Sequence, residues 1–178
     1  MPVVKRIRPR IGDVIEIETP KGFAYAHYTH KHDVPPNYGA LLRVLPGIFP
    51  VRPLDFSELV QRHPLFMTFF PLGAACNRRI VRVVASEPIP EDAAQFPTFR
   101  DSHRDRTGKR VGPWFLWDGK RERRVESLTP EQLREYPPLG VWNDTLLIQR
   151  IVEGWTHEKD VCDTAQPCSP ADAAERRR

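Results

Sequence analysis

Residues 11–54 read IGDVIEIETPKGFAYAHYTHKHDVPPNYGALLRVLPGIFPVRPL, and the rhythm of this stretch decides the fold. Asp13–Glu18 sets the β-branched Val14, Ile15 and Ile17 among acids and reads as the first strand. Thr19-Pro20-Lys21-Gly22 is a turn, and Phe23–His32 returns from it as the second arm of a hairpin. Asp33-Val34-Pro35-Pro36-Asn37 is a loop, Tyr38–Leu45 a third strand, and Pro46-Gly47 another turn ahead of Ile48–Val51. The stretch predicts an antiparallel meander.

Outward from it the same punctuation continues. Asp55 or Ser57 is placed to cap a short helix through Arg62. Leu65–Leu72 is apolar apart from Thr68 and Arg79–Ala85 is rich in β-branched residues, so both read as strands. Phe99–Val111 is polar and aperiodic and reads as a mobile loop. Trp114–Trp117 and Arg121–Ser127 flank Asp118-Gly119, a strong hairpin signal. Thr129-Pro130-Glu131-Gln132 sets a cap, a first-turn proline and an early acid for a helix ending near Tyr136. Leu147, Ile148, Ile151, Val152 and Trp155 form the stripe of an amphipathic helix with Asp144 as its N-cap. The expected fold is α+β and β-rich: an antiparallel meander or partly open barrel-like sheet with two or three short helices. Residues 1–10 read as a flexible basic lead-in, 11–157 as a single domain, and 158–178 as a disordered tail poor in apolar residues.

The chain holds 19 prolines in 178 residues, about twice the usual share of roughly 5%. Each one removes a backbone donor and fixes φ, which disfavours long helices. The net charge of +4 is unevenly spread: residues 1–10 carry four basic and no acidic side chains, and residues 100–124 carry nine basic against four acidic. Three cysteines make no disulfide framework. The N-terminus MPVVKRIRPR has no apolar core of a secretory signal. The longest apolar run, Leu65–Ala75, is broken by Pro71 and Gly73 and falls short of the ~20 residues a bilayer demands. These features predict a cytoplasmic protein with no membrane segment.

Candidate chemistry is sparse. His30 and His32, two apart in a strand, share a face with Tyr28 on strict alternation, while His27 points away. Two histidines lack the third ligand of a catalytic metal site, so no metal or cofactor is expected. Cys162 and Cys168 are too widely spaced for a zinc pair, and Cys76, beside an apolar run, reads as a small core residue. Asp13, Glu16 and Glu18 read as solvent-facing acids on a strand. The basic segment from Arg100 to Arg124 encloses Trp114, Phe115 and Trp117, and Arg104, Arg106, Lys109, Arg110 and Arg121 are its candidates for nucleic-acid contact. Trp114 and Trp117 have opposite parity, so at most one of them serves such a groove. There is no glycine-rich phosphate loop, no Gly-x-Ser-x-Gly elbow and no His-Glu-x-x-His helix.

The segments Ile11-Gly12-Asp13-Val14-Ile15-Glu16-Ile17, Gly22-Phe23-Ala24-Tyr25-Ala26 and Tyr38-Gly39-Ala40-Leu41-Leu42-Arg43-Val44 resemble bacterial immunity proteins of polymorphic toxin systems, specifically the immunity protein 26 family. Trp114-Phe115-Leu116-Trp117-Asp118-Gly119 and Leu128-Thr129 extend the resemblance, which covers roughly residues 10–155. It implies a β-rich, non-enzymatic protein that binds a cognate toxin encoded nearby and blocks it, with no catalytic residues to carry over. Inhibitors of strongly basic nucleases tend to be acidic, since complementary fields speed capture; a near-neutral body points away from such a toxin. On this reading the partner-binding residues are the aromatic and polar groups of the second strand and its loop: Tyr25, His27, Tyr28, His30, His32 and Tyr38. The alternative expectation is a nucleic-acid-binding β-barrel using the Arg100–Arg124 segment.

Overall fold

A computed structural model of the chain describes residues 6–107 and 110–161. The first half of the basic lead-in, Lys109, Cys162, Cys168 and the tail from residue 162 onward lie outside the described residues. The chain groups into two compact units. The first comprises the described residues up to Phe96 together with Gly140–Trp155, and the second Pro97–Leu139 with the described residues from Thr156; the sequence reading placed 11–157 in one domain.

In the first unit, β1 (Asp13–Thr19), β2 (Gly22–His32), β3 (Gly39–Val44) and β4 (Phe66–Phe70) form the predicted meander, and β5 (Val81–Ser86) adds beside β1. The antiparallel sheet therefore runs β4-β3-β2-β1-β5 from edge to edge and does not close into a barrel. Thr19 pairs with Gly22 across the two-residue turn Pro20-Lys21. The Thr19 hydroxyl fastens that turn, donating to the Gly22 carbonyl (2.8 Å) and accepting from the Lys21 N–H (3.1 Å). Gly22 sits at φ +126°, and a Cβ there would stand 2.5 Å from the Phe49 carbonyl oxygen, which itself accepts from the Phe23 N–H. Gly22→Ala is expected to cost at least about 1 kcal/mol, because both the φ and the crowding oppose a side chain; urea denaturation measures it.

Both faces of this sheet are buried, each for its own reason. Ile15, Ile17, Ala24, Ala26, Tyr28, Leu42 and Val44 point to one side, where α1 (Leu72–Asn77) and α3 (Asp144–Val152) supply Ala75, Cys76, Leu147 and Ile151. The predicted helical stripe holds, with Leu147, Ile151 and Trp155 buried and Ile148 packed against them. Asn143, not Asp144, caps α3, its side chain accepting from the Leu146 N–H (2.8 Å). At the other end Gly154 adopts φ +58°, with Gly154 N–H donating to Ile151 and Trp155 N–H to Arg150. This Schellman closure turns Trp155 back onto Phe66 and Trp142, with ring centroids 5.0–5.4 Å apart. On the opposite face Val14, Tyr25 and Leu45 pack beneath Phe56, Leu59 and Val60. Residues 55–62 make turns around an Asp55 side chain that accepts from Ser57, in place of the helix the capping residues predict. The strand expected over Leu65–Leu72 ends at Phe70, and Leu72 opens α1 instead.

The second unit holds an antiparallel sheet in the order β6-β7-β8, from Phe99–Arg104, Arg110–Trp117 and Glu122–Val125. The predicted mobile loop Phe99–Val111 is thus a correction: most of it is β6 and the start of β7, because its polar residues alternate on a strand that takes its apolar partners from β7. Trp114 and Leu116 form a core with Leu128 and Leu133, the last from α2 (Pro130–Glu135). The cap predicted at Thr129 is present and is a full capping box, with Gln132 N–H donating to the Thr129 hydroxyl (3.2 Å) and Thr129 N–H to the Gln132 side chain (3.0 Å). Residues 158–161, read from sequence as the start of the disordered tail, belong to α4 (His157–Val161), and Glu158 pairs with Arg134 at 3.3 Å. The fold is β-rich α+β, as the sequence implies, with four short helices among the described residues. No helix among them is long and apolar enough to cross a membrane.

Candidate functional site

Four of the six predicted contact residues are closed to solvent, while His30 and Tyr38 are half-buried. Tyr25 and His27 are fully buried, and Tyr28 and His32 are 5% and 6% exposed. This corrects the expectation that they form a binding surface: a strand with both faces covered has no wet side to offer. Tyr25 packs against Phe49 and Phe56, and its hydroxyl donates to Glu16 Oε2 (3.2 Å). Burial, with the Glu16 charge beside it, pushes the Tyr25 pKa up to about 12. Glu16 itself, read from sequence as solvent-facing, is buried and accepts from Arg52 Nε (2.6 Å) and Nη2 (2.8 Å).

The histidines also sit differently from strict alternation. Tyr28 pairs with Leu42 but His30 with Leu41, so Thr29 is an extra residue in β2. This β-bulge turns His30 and His32 away from Tyr28 and onto the face of His27. His27 Nε2 lies 3.2 Å from the carbonyl oxygens of both Gly12 and Glu87. Carbonyls only accept, so that nitrogen carries the proton of a neutral ring, and burial holds its pKa below the ordinary range. His30 reaches Thr29 Oγ1 and the Ala94 carbonyl, each at 3.1 Å, and its pKa is likewise lowered by burial. His32 contacts the rings of Tyr38, Phe69 and Phe96, and the half-buried Tyr38 stacks on Phe69 at 5.1 Å. Among the described residues no three His, Cys, Asp or Glu side chains converge as a metal site. Cys76 is buried, and burial raises its thiol to a pKa of about 11, far from a reactive thiolate.

The second unit offers a more open surface. Cross-strand partners share a face, so the register gathers Asp101, Phe115 and Arg124, then Phe99, Trp117 and Glu122, on the side of the sheet opposite Trp114. Phe115 and Trp117 are half-buried, whereas Asp101, Glu122 and Arg124 are exposed. The exposed His103 ring stands edge-on to Phe115 at 5.3 Å, and Phe99 lies 5.8 Å from Trp117. Two adjacent aromatic rings thus lie among charges of both signs. Sequence reasoning weighed Trp114 against Trp117 and passed over Phe115 and Trp117, whose spacing of two residues in a strand is the signal that joins them.

The basic candidates divide. Arg104 and Arg110 pair at one end of the three-stranded sheet and Arg106 is exposed in the turn between them. Arg121 lies past Trp117 at the other end, about 23 Å away along the strand. Arg110 is already engaged, its guanidinium 4.9 Å from the Trp114 ring centroid and donating to the Gly112 carbonyl. Arg100 is 1% exposed and structural: it donates to the Tyr136 carbonyl (2.9 Å) and the His157 carbonyl (3.1 Å), with its guanidinium 5.6 Å from the Trp114 ring. No family model matches the chain, and no curated protein and no solved structure matches it.

Proposed function

We propose that this chain is a non-enzymatic binding protein of the cytoplasm that captures a cognate bacterial toxin and blocks it stoichiometrically. The observation that carries the reading is the pair Phe115 and Trp117, half-exposed on the sheet face opposite the Trp114 core. Partly exposed aromatic rings beside arginine are the side chains that dominate binding energy at protein interfaces. Asp101 and Glu122 on the same face favour a protein partner, since carboxylates repel a phosphate backbone and a protein surface supplies charges of both signs. Most of the residues that resemble the immunity protein 26 family stand in β1, β2, β3 and β7, which makes them the scaffold of the fold and leaves recognition to what the scaffold displays.

The test is calorimetric titration against the toxic domain encoded beside this chain. Phe115→Ala and Trp117→Ala are each expected to weaken capture about 30-fold or more, the effect of losing a hot spot worth about 2 kcal/mol, with little change in melting temperature. Undiminished capture by the double variant would remove this face from the interface, and absence of capture by the unaltered chain would end the reading. The second reading, nucleic-acid binding, is favoured by the exposed Arg104 and Arg106. It requires oligonucleotide affinity that falls steeply with salt and is lost in Arg104→Gln/Arg106→Gln.

A further inference from the structure

The free edge of the five-stranded sheet carries a second, independent surface. Its outermost strand, β5, pairs with β1 alone. Among the described residues no hydrogen bond outside that ladder reaches the backbone of Val81–Ser86. The segment ahead of β1 runs along this border. Ile7 is pinned at Asn77, just before β5, by two 2.9 Å hydrogen bonds, its N–H to Asn77 Oδ1 and its carbonyl from Asn77 Nδ2. Asp13 then stands opposite Ser86, the last residue of β5. Residues 7–13 therefore travel the length of that strand, turning at its end where Asp13 Oδ2 accepts from the Arg10 N–H (2.8 Å).

Six arginines mark this border. Arg6, Arg8 and Arg10 come from the lead-in, Arg78 and Arg79 from the turn that enters β5, and Arg82 from β5 itself. All six are exposed, and none forms an ion pair among the described residues. Interleaved with them are exposed apolar side chains: Ile7 (46%), Ile11 (53%) and Val83 (38%).

We propose that this border docks an extended, acidic segment of a partner protein, one in which carboxylates alternate with apolar residues. The inference rests on the reading of the chain as a protein-binding molecule and names the chemistry of what it binds. Arginine's planar fork meets carboxylates in pairs of hydrogen bonds, and an uncovered strand edge supplies main-chain partners for an added strand. Ile7, Ile11 and Val83 have no role against a phosphate backbone, whereas a peptide strand brings apolar side chains to cover them. The same charges deny the edge to a second copy of this chain, whose own border is equally basic.

The probe is a fluorescein-labelled 14-residue peptide alternating Glu and Val, followed by fluorescence anisotropy on the full chain. A Gln/Val peptide of the same length and a 20-nucleotide oligo-dT serve as comparators. The Glu/Val peptide is expected to bind at least tenfold more tightly than the Gln/Val peptide and more tightly than oligo-dT. Arg6→Gln/Arg8→Gln/Arg10→Gln should weaken it at least tenfold and leave the melting temperature unchanged, because these side chains hold nothing in place. Arg82→Gln should weaken it as well, and Phe115→Ala/Trp117→Ala should not. Equal binding of the two peptides, an unaffected triple variant, or preferential binding of oligo-dT would each overturn the assignment. These outcomes are separable from toxin capture: a chain that captures the toxin through Phe115 and Trp117 and ignores the Glu/Val peptide keeps the function and loses this site.

Discussion

Replacing Trp114 with alanine is expected to cost about 3–5 kcal/mol, the range for deleting a large aromatic side chain from a core. Trp114 is 1% exposed and is the largest side chain of its cluster, with Leu116, Leu128 and Leu133 against it. It also lies within 4.9 Å of the Arg110 guanidinium and 5.6 Å of that of Arg100, and a desolvated cation over an indole contributes up to about 2 kcal/mol. Arg100 suffers most: it is buried, and its charge would keep its carbonyl partners at Tyr136 and His157 while losing the ring beside it. The indole nitrogen makes no hydrogen bond, so Trp114→Phe loses area but leaves no partner stranded and should cost clearly less. Hydrogen exchange reads the outcome directly. In the alanine variant the amides of β6, β7 and β8 should lose protection, with the phenylalanine variant between it and the unaltered chain. Equal protection in alanine and phenylalanine variants would show that the indole is not what holds this sheet.

Why some of this was legible in the sequence and some was not follows from where each signal lives. The β1–β2 hairpin, the Thr129 capping box and the Leu147–Ile151 stripe are local: a turn needs Gly22, a cap needs Thr129 and Gln132, a buried helix face needs its period. β6 was hidden because it is an edge strand whose exposed residues are polar and whose apolar partners lie on β7. The bulge at Thr29 leaves no mark in the sequence, since any residue can be the extra one, and a shift of one position reverses every later side chain. That single residue moved His30 and His32 to the face of His27. The burial of Tyr25 was unreadable for another reason: the segment that covers it, around Phe56 and Val60, is far along the chain and irregular. Arg100 reads from sequence as part of a basic surface segment, yet it is 1% exposed, as is Arg43, because each guanidinium finds backbone carbonyls to donate to. The aromatic pair on β7 was visible as spacing, but only the pairing of β7 with β6 and β8 shows which charges surround it.

Glu16→Gln is expected to cost about 1.5–3 kcal/mol at neutral pH, the range for hydrogen bonds to a charged group, and to cost almost nothing in acid. Glu16 is 2% exposed and accepts two donors from Arg52 and one from the Tyr25 hydroxyl. These bonds tie β1 and β2 to the irregular segment that covers their face. An amide in the same place retains the shape but loses the charge, and turns one N–H group toward a guanidinium that can only donate. The hydrogen bonds from Arg52 hold the Glu16 carboxyl below its ordinary range, outweighing the burial that acts against them. A carboxyl whose pKa is lowered by folding contributes stability that is fully present above its unfolded value of about 4.3 and disappears as pH falls through the folded value. The difference in unfolding free energy between the unaltered chain and Glu16→Gln should therefore be constant from pH 8 to pH 6 and shrink below pH 4. Urea denaturation at pH 7 and pH 3 measures both. An undiminished gap at pH 3 would mean that the carboxylate's charge is not what holds the covering segment.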